Sequence, residues 1–66
     1  MADLLVEDHG SIALVRPVSD RGRTWLAENT ETEGWQWLGE ALAVEPRYVV
    51  DLLNGAVKDG LKVRPA

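Results

Sequence analysis

Sixty-six residues with no cysteine have to fold on the strength of one small apolar core. A chain of this length buries only about 60% of the surface its unfolded form exposes, so stability is marginal without a staple or a partner. The missing thiols exclude a disulfide framework, a thiolate metal site and a cysteine nucleophile. A single histidine excludes a histidine-rich metal centre as well. Good packing and self-association are the remaining sources of stability. The composition, 45% hydrophobic and 27% charged, is that of a globule rather than a disordered chain.

The apolar pattern divides the chain into seven elements. Leu4-Leu5-Val6 and the run from Ser11 to Val18 flank a short polar stretch ending in Gly10, the signature of a β-hairpin. In the second strand Ile12, Leu14 and Val18 share one face and Ala13 and Val15 the other, which points to a central position. Ser19 is placed as a helix N-cap with Asp20 in the first turn, opening a short helix to Asn29 with Trp25 and Leu26 on its buried side. Gly22 weakens that helix on propensity alone. Trp35-Gln36-Trp37-Leu38 and Ala41-Leu42-Ala43-Val44 flank Gly39-Glu40 and read as a second hairpin. Alanine is poor strand material, so a helix over 38–44 stays open as an alternative.

The clearest element follows. Pro46 sits at the first helical position, and Val49, Leu52, Leu53, Ala56 and Val57 recur at i, i+3, i+4, i+7 and i+8. Gly60 is placed as the residue that ends this helix. Leu61-Lys62-Val63-Arg64 alternates apolar and basic residues and reads as an edge strand stopped by Pro65. No repeat, low-complexity tract or linker interrupts residues 1–66, which read as a single small α+β domain. The expected order is β-β-α-β-β-α-β, a mostly antiparallel sheet with two helices on one face.

No catalytic constellation emerges. His9 lies in the first hairpin turn between Asp8 and Gly10, where an exposed imidazole has no pocket to position it as a base. Ser11 and Ser19 lack a nucleophile-elbow context, and no glycine run is followed by the Lys-Ser/Thr of a phosphate loop. The N-terminal acids Asp3, Glu7 and Asp8 do not have calcium-loop spacing. Catalytic clefts commonly enclose ~300 Å³ or more, a volume hard to provide beside so small a core. The reading is a non-enzyme that uses no cofactor and no metal. No apolar run approaches the ~20 residues of a membrane span, and the first eight residues lack a basic signal-peptide start, so the expected location is the cytoplasm.

Charge is distributed unevenly. The formal net charge is −4, which argues against direct capture of nucleic acid through its phosphates. Between Thr24 and Pro46 lie five acids, Glu28, Glu31, Glu33, Glu40 and Glu45, and no lysine or arginine. Such a stretch serves either as a solubilising surface or as an acidic face that occupies a basic, nucleic-acid-binding groove of another protein. Trp35 beside these acids would make an interface anchor if exposed. Trp35 and Trp37 share one strand face, and both would be core if that face packs on the helices.

Residues 11–17 (SIALVRP), 35–48 (WQWLGEALAVEPRY), 49–56 (VVDLLNGA) and 59–61 (DGL) carry a resemblance that covers most of the chain. They are similar to a group of short uncharacterised proteins of proteobacteria and their phages or mobile elements. The resemblance brings no chemical motif and assigns no functional residue. It does imply a class, because small acidic proteins of such elements include anti-CRISPR inhibitors, some of which mimic DNA. The leading expectation is therefore an inhibitor of a CRISPR effector subunit, acting through Glu28, Glu31, Glu33, Glu40, Glu45 and Trp35. The alternative is an interaction or assembly module, monomeric or pairing as a homodimer through the 61–64 edge strand.

Overall fold

The computed structural model describes residues 1–29 and 36–66. Five strands and two helices follow the expected order: β1 Leu4–Asp8, β2 Ala13–Pro17, α1 Asp20–Asn29, β3 Gln36–Leu38, β4 Ala41–Val44, α2 Pro46–Lys58 and β5 Val63–Pro65. The sheet runs β3-β4-β2-β1-β5. All neighbours are antiparallel except β1 and β5, which pair in parallel through Leu4 with Val63 and Val6 with Pro65. β2 is the central strand, as its two apolar faces suggest. Val18 falls just outside it and is exposed.

Register determines which face meets the helices. Leu4 and Val6 stand opposite Pro17 and Val15, and Val15 stands opposite Leu42, so these side chains share one face of the pleat. On that face Leu4, Val15, Leu42 and Val44 form one cluster with Leu26 of α1 and with Leu52 and Ala56 of α2. Both helices therefore cover the same side. The helical alternative over 38–44 gives way because every residue of β4 is buried between β2 and β3. Burial and pairing outweigh the low strand propensity of alanine there.

The first helix is anchored by its cap. The Gly22 N–H donates to Ser19 Oγ at 2.9 Å, the N-cap bond expected of a serine three residues upstream. The Ser19 hydroxyl in turn donates to Asp3 Oδ1 at 2.6 Å. Gly22 is not the defect that propensity implies. A Cβ there would run into the Asp3 carbonyl oxygen and crowd the Leu4 side chain, so glycine lets α1 approach the start of β1.

The second helix ends on a Schellman motif. Gly60, at φ +90°, donates its N–H to Val57 O at 3.0 Å, and Leu61 donates to Ala56 O at 2.9 Å. This turns the chain so that Leu61 is buried beside Ala56 in the core cluster. One expectation for α2 is corrected. Val57 belongs to the apolar stripe by spacing but is 59% exposed, because at roughly 100° per residue it falls well around the helix from the buried Leu52 and Ala56. The buried set is Leu52 and Ala56, with Val49 packed against it. Pro65 does not stop β5 but forms its last residue, tolerated because β5 is an edge strand.

Two stability predictions follow from the α1 junction. Gly22→Ala should destabilise by about 1–3 kcal/mol despite its gain in helix propensity, the usual cost of forcing atoms into packed space, measurable by urea unfolding. The Asp3 carboxyl is held below its ordinary value of 3.8 by the Ser19 hydroxyl first, then by the Lys62 N–H, with nearby Arg21 and Lys62 charges assisting against a burial cost. A lowered carboxylate pKa contributes stability above the unfolded value and loses it as pH falls through the folded one. Asp3→Asn should therefore be less stable than the parent at pH 7, with the difference closing below about pH 4 in an acid titration followed by circular dichroism.

Candidate functional site

The two helices run in opposite directions across the sheet, and Trp25 fills the gap between them. Its indole N–H donates to Asp59 Oδ2 at 2.8 Å, just past the end of α2. Its ring packs over Gly55, where a Cβ would stand 3.6 Å away. The Arg21 guanidinium donates to the Asp59 carbonyl at 3.2 Å. Trp25 is thus half-buried against the core cluster rather than enclosed by it. Helical spacing legibly placed it on the inner side of α1. That part of the ring stays at the surface was not legible.

Grooves flank the indole on both sides. One, of about 380 Å³, is lined by Asp20, Arg21, Thr24, Trp25, Glu28 and Asp59, with Leu61 at its base. The other, of about 280 Å³, runs between Trp25, Asn29, Tyr48 and Asp51 over Leu52 and Gly55. The larger volume exceeds what so small a core was expected to provide, because it is an open trough between helices and not an enclosed cleft. Among the described residues the two grooves carry four carboxylates and one guanidinium. The acids arise from simple periodicity. Asp20, Thr24 and Glu28 recur at i, i+4 and i+8 along α1, and Asp51, Gly55 and Asp59 do the same along α2 and its cap, so each set lines one side of its helix.

Part of this charge is answered locally. Arg23 Nη1 lies 3.2 Å from Asp20 Oδ1, with both side chains exposed, a surface pair of small energetic value. No described cation pairs with Glu28 or Asp51. Among the described residues no three carboxylates or imidazoles converge closely enough to hold a metal ion. No described helix is long and apolar enough to cross a membrane.

The residues singled out in the sequence are scattered. Glu28 lies on the larger groove. Glu40 is exposed in the β3–β4 turn, and Glu45 precedes α2 at the other end of β4. At ~3.3 Å per strand residue those two backbones stand about 16 Å apart. Glu45 is engaged by Arg47, whose Nε donates to Oε2 at 2.8 Å, and the Arg47 guanidinium lies 4.9 Å above the Tyr48 ring. Glu31, Glu33 and Trp35 lie outside the described residues. Trp37 is on the helix-bearing face, opposite Leu42, yet 41% exposed because β3 is an edge strand. His9 is exposed in its turn, with Nε2 3.2 Å from Glu7 Oε2.

Asp20, Asp51 and Asp59 lie outside the base-free stretch between Thr24 and Pro46, among basic residues. Helical periodicity along α1 and α2 is the signal that places them beside Trp25. No family model, no curated protein and no solved structure matches the chain.

The Trp25–Asp59 bond ties α1 to the end of α2 and generates a prediction. Trp25→Phe loses both the indole donor and the outer ring atoms that pack on Gly55. It should cost about 1–3 kcal/mol in chemical unfolding, while Asp59→Asn, which keeps an acceptor and the ring contact, should cost less.

Proposed function

We propose that this chain is a non-catalytic binding protein whose helix layer docks on a basic, nucleic-acid-binding surface of a protein partner, as an inhibitor of a CRISPR effector would. The observation that carries this reading is the arrangement of Asp20, Glu28, Asp51 and Asp59 around the half-exposed indole of Trp25. Large, stiff aromatic side chains make good interface anchors because they bury much area for little lost entropy. Carboxylates on both sides of such an anchor oppose the lysines and arginines that line a phosphate-binding groove, steering the encounter and fixing its orientation. The resemblance in residues 11–17 and 35–61 supports the same class of partner. Glu31 and Glu33, in the segment between α1 and β3, add to the negative charge entering that encounter.

The test uses a panel of purified proteobacterial CRISPR effector complexes and labelled target DNA. The parent protein should compete with DNA for at least one complex, and its affinity should fall steeply as salt rises. The double variant Asp20→Lys/Glu28→Lys, shown folded by circular dichroism, should lose at least tenfold in competition. Undiminished competition by that variant, or no competition with any complex at large molar excess, would contradict the proposal.

A further inference from the structure

The smaller groove beside Trp25 has a chemistry of its own. Trp25 and Asn29 stand at i and i+4 on α1. Tyr48, Asp51, Leu52 and Gly55 stand at i, i+3, i+4 and i+7 on α2, so each helix presents one row of residues to the trough. Two of its walls are aromatic, the indole of Trp25 and the phenol of Tyr48, which is 43% exposed. The floor is Leu52 and the bare backbone of Gly55, against which the Trp25 ring rests.

The polar groups of this trough are weighted toward acceptors. The indole N–H of Trp25 is already given to Asp59 Oδ2 at 2.8 Å, a residue of the other groove. The Asn29 amide nitrogen is turned to the Trp25 carbonyl at 2.9 Å, which leaves its Oδ1 to accept. Asp51 adds an exposed carboxylate that pairs with no described lysine or arginine.

A ligand matched to this set donates hydrogen bonds, carries positive charge and lies flat on an aromatic ring. An arginine guanidinium meets all three conditions. It holds five N–H donors in one plane, has no acceptor and is weakly hydrated, and the negative faces of indole and phenol attract it. A lysine ammonium carries the charge, but its tight hydration and compact shape suit the trough less. The larger groove is a poorer receptor, because Arg21 lines it and repels an incoming cation. Arg47 does not compete for the trough, since its charge is answered by Glu45 at 2.8 Å and it is not part of the lining.

We infer that the trough between Trp25 and Tyr48 receives one arginine side chain of the partner, its guanidinium stacked on the aromatic walls and paired with Asp51. The inference rests on the basic partner proposed above and names the group that this cleft takes from it. The test titrates isotope-labelled protein at low salt with capped tripeptides holding arginine, lysine or citrulline between two glycines, up to about 50 mM to cover weak single-group binding. The arginine peptide should shift the Trp25 indole and Asn29 side-chain signals saturably and bind about threefold or more tighter than the lysine peptide. Citrulline, planar but uncharged, should bind more weakly still. Asp51→Asn, at an exposed position and checked for folding by circular dichroism, should lose about fivefold in arginine affinity, and Tyr48→Leu should erase the preference for arginine over lysine. Equal binding of arginine and lysine, shifts confined to Arg21, Thr24 and Glu28, absence of saturation, or indifference to Asp51→Asn would overturn the inference. The two readings fail separately: the peptides and Asp51→Asn report on this trough alone, whereas effector competition by Asp20→Lys/Glu28→Lys reports on the class of partner.

Discussion

The junction at Asp3 joins the two ends of this chain. Its carboxylate accepts from the Ser19 hydroxyl and from the Lys62 N–H. Its own N–H donates to Lys62 O, and its carbonyl accepts from Val18 N–H. One residue at the start of β1 thus ties together the cap of α1, the end of β2 and the approach to β5, segments up to 59 positions apart in sequence. In a domain with so thin a core, such a hub replaces the covalent staple that the absence of cysteine denies it. It also explains Gly22, the only place where a helix and the sheet backbone come too close for a side chain among the glycines described.

Legibility followed the range of the interactions involved. Element order, the Ser19 cap, Pro46 at the start of α2 and the Gly60 terminus were all readable, because capping and turn chemistry are decided within a few residues. The strand nature of β4 was ambiguous, because its alanines become strand only through burial between two neighbours. Val57 was misplaced because the apolar stripe reaches well around the helix from the buried Leu52 and Ala56. Gly22 was misjudged because its partner Asp3 is remote in the chain.

The candidate site divides in the same way. The sequence made negative charge visible as a base-free stretch, but folding reorganises charge by face. Glu28 remains near the indole, Glu45 turns to Arg47, and Glu40 moves to the far end of β4. Asp20, Asp51 and Asp59 enter from the two helices instead. A local charge count cannot detect this, whereas the i, i+4, i+8 rows on α1 and α2 could have. The outcome is a molecule whose helix layer has an acidic, aromatic cleft between α1 and α2.

The central claim is that the cleft around Trp25 is the surface that meets a basic partner. The indole N–H of Trp25, bonded to Asp59, gives a distinct NMR resonance at the middle of that surface. Titrating the isotope-labelled protein with an arginine-rich peptide tests the claim most directly. The account predicts that the Trp25 indole signal and the amides of 20–28 and 51–59 shift together and saturably, with the effect reversed by salt. Shifts centred on the Glu40 turn with an unmoved Trp25 indole would contradict it.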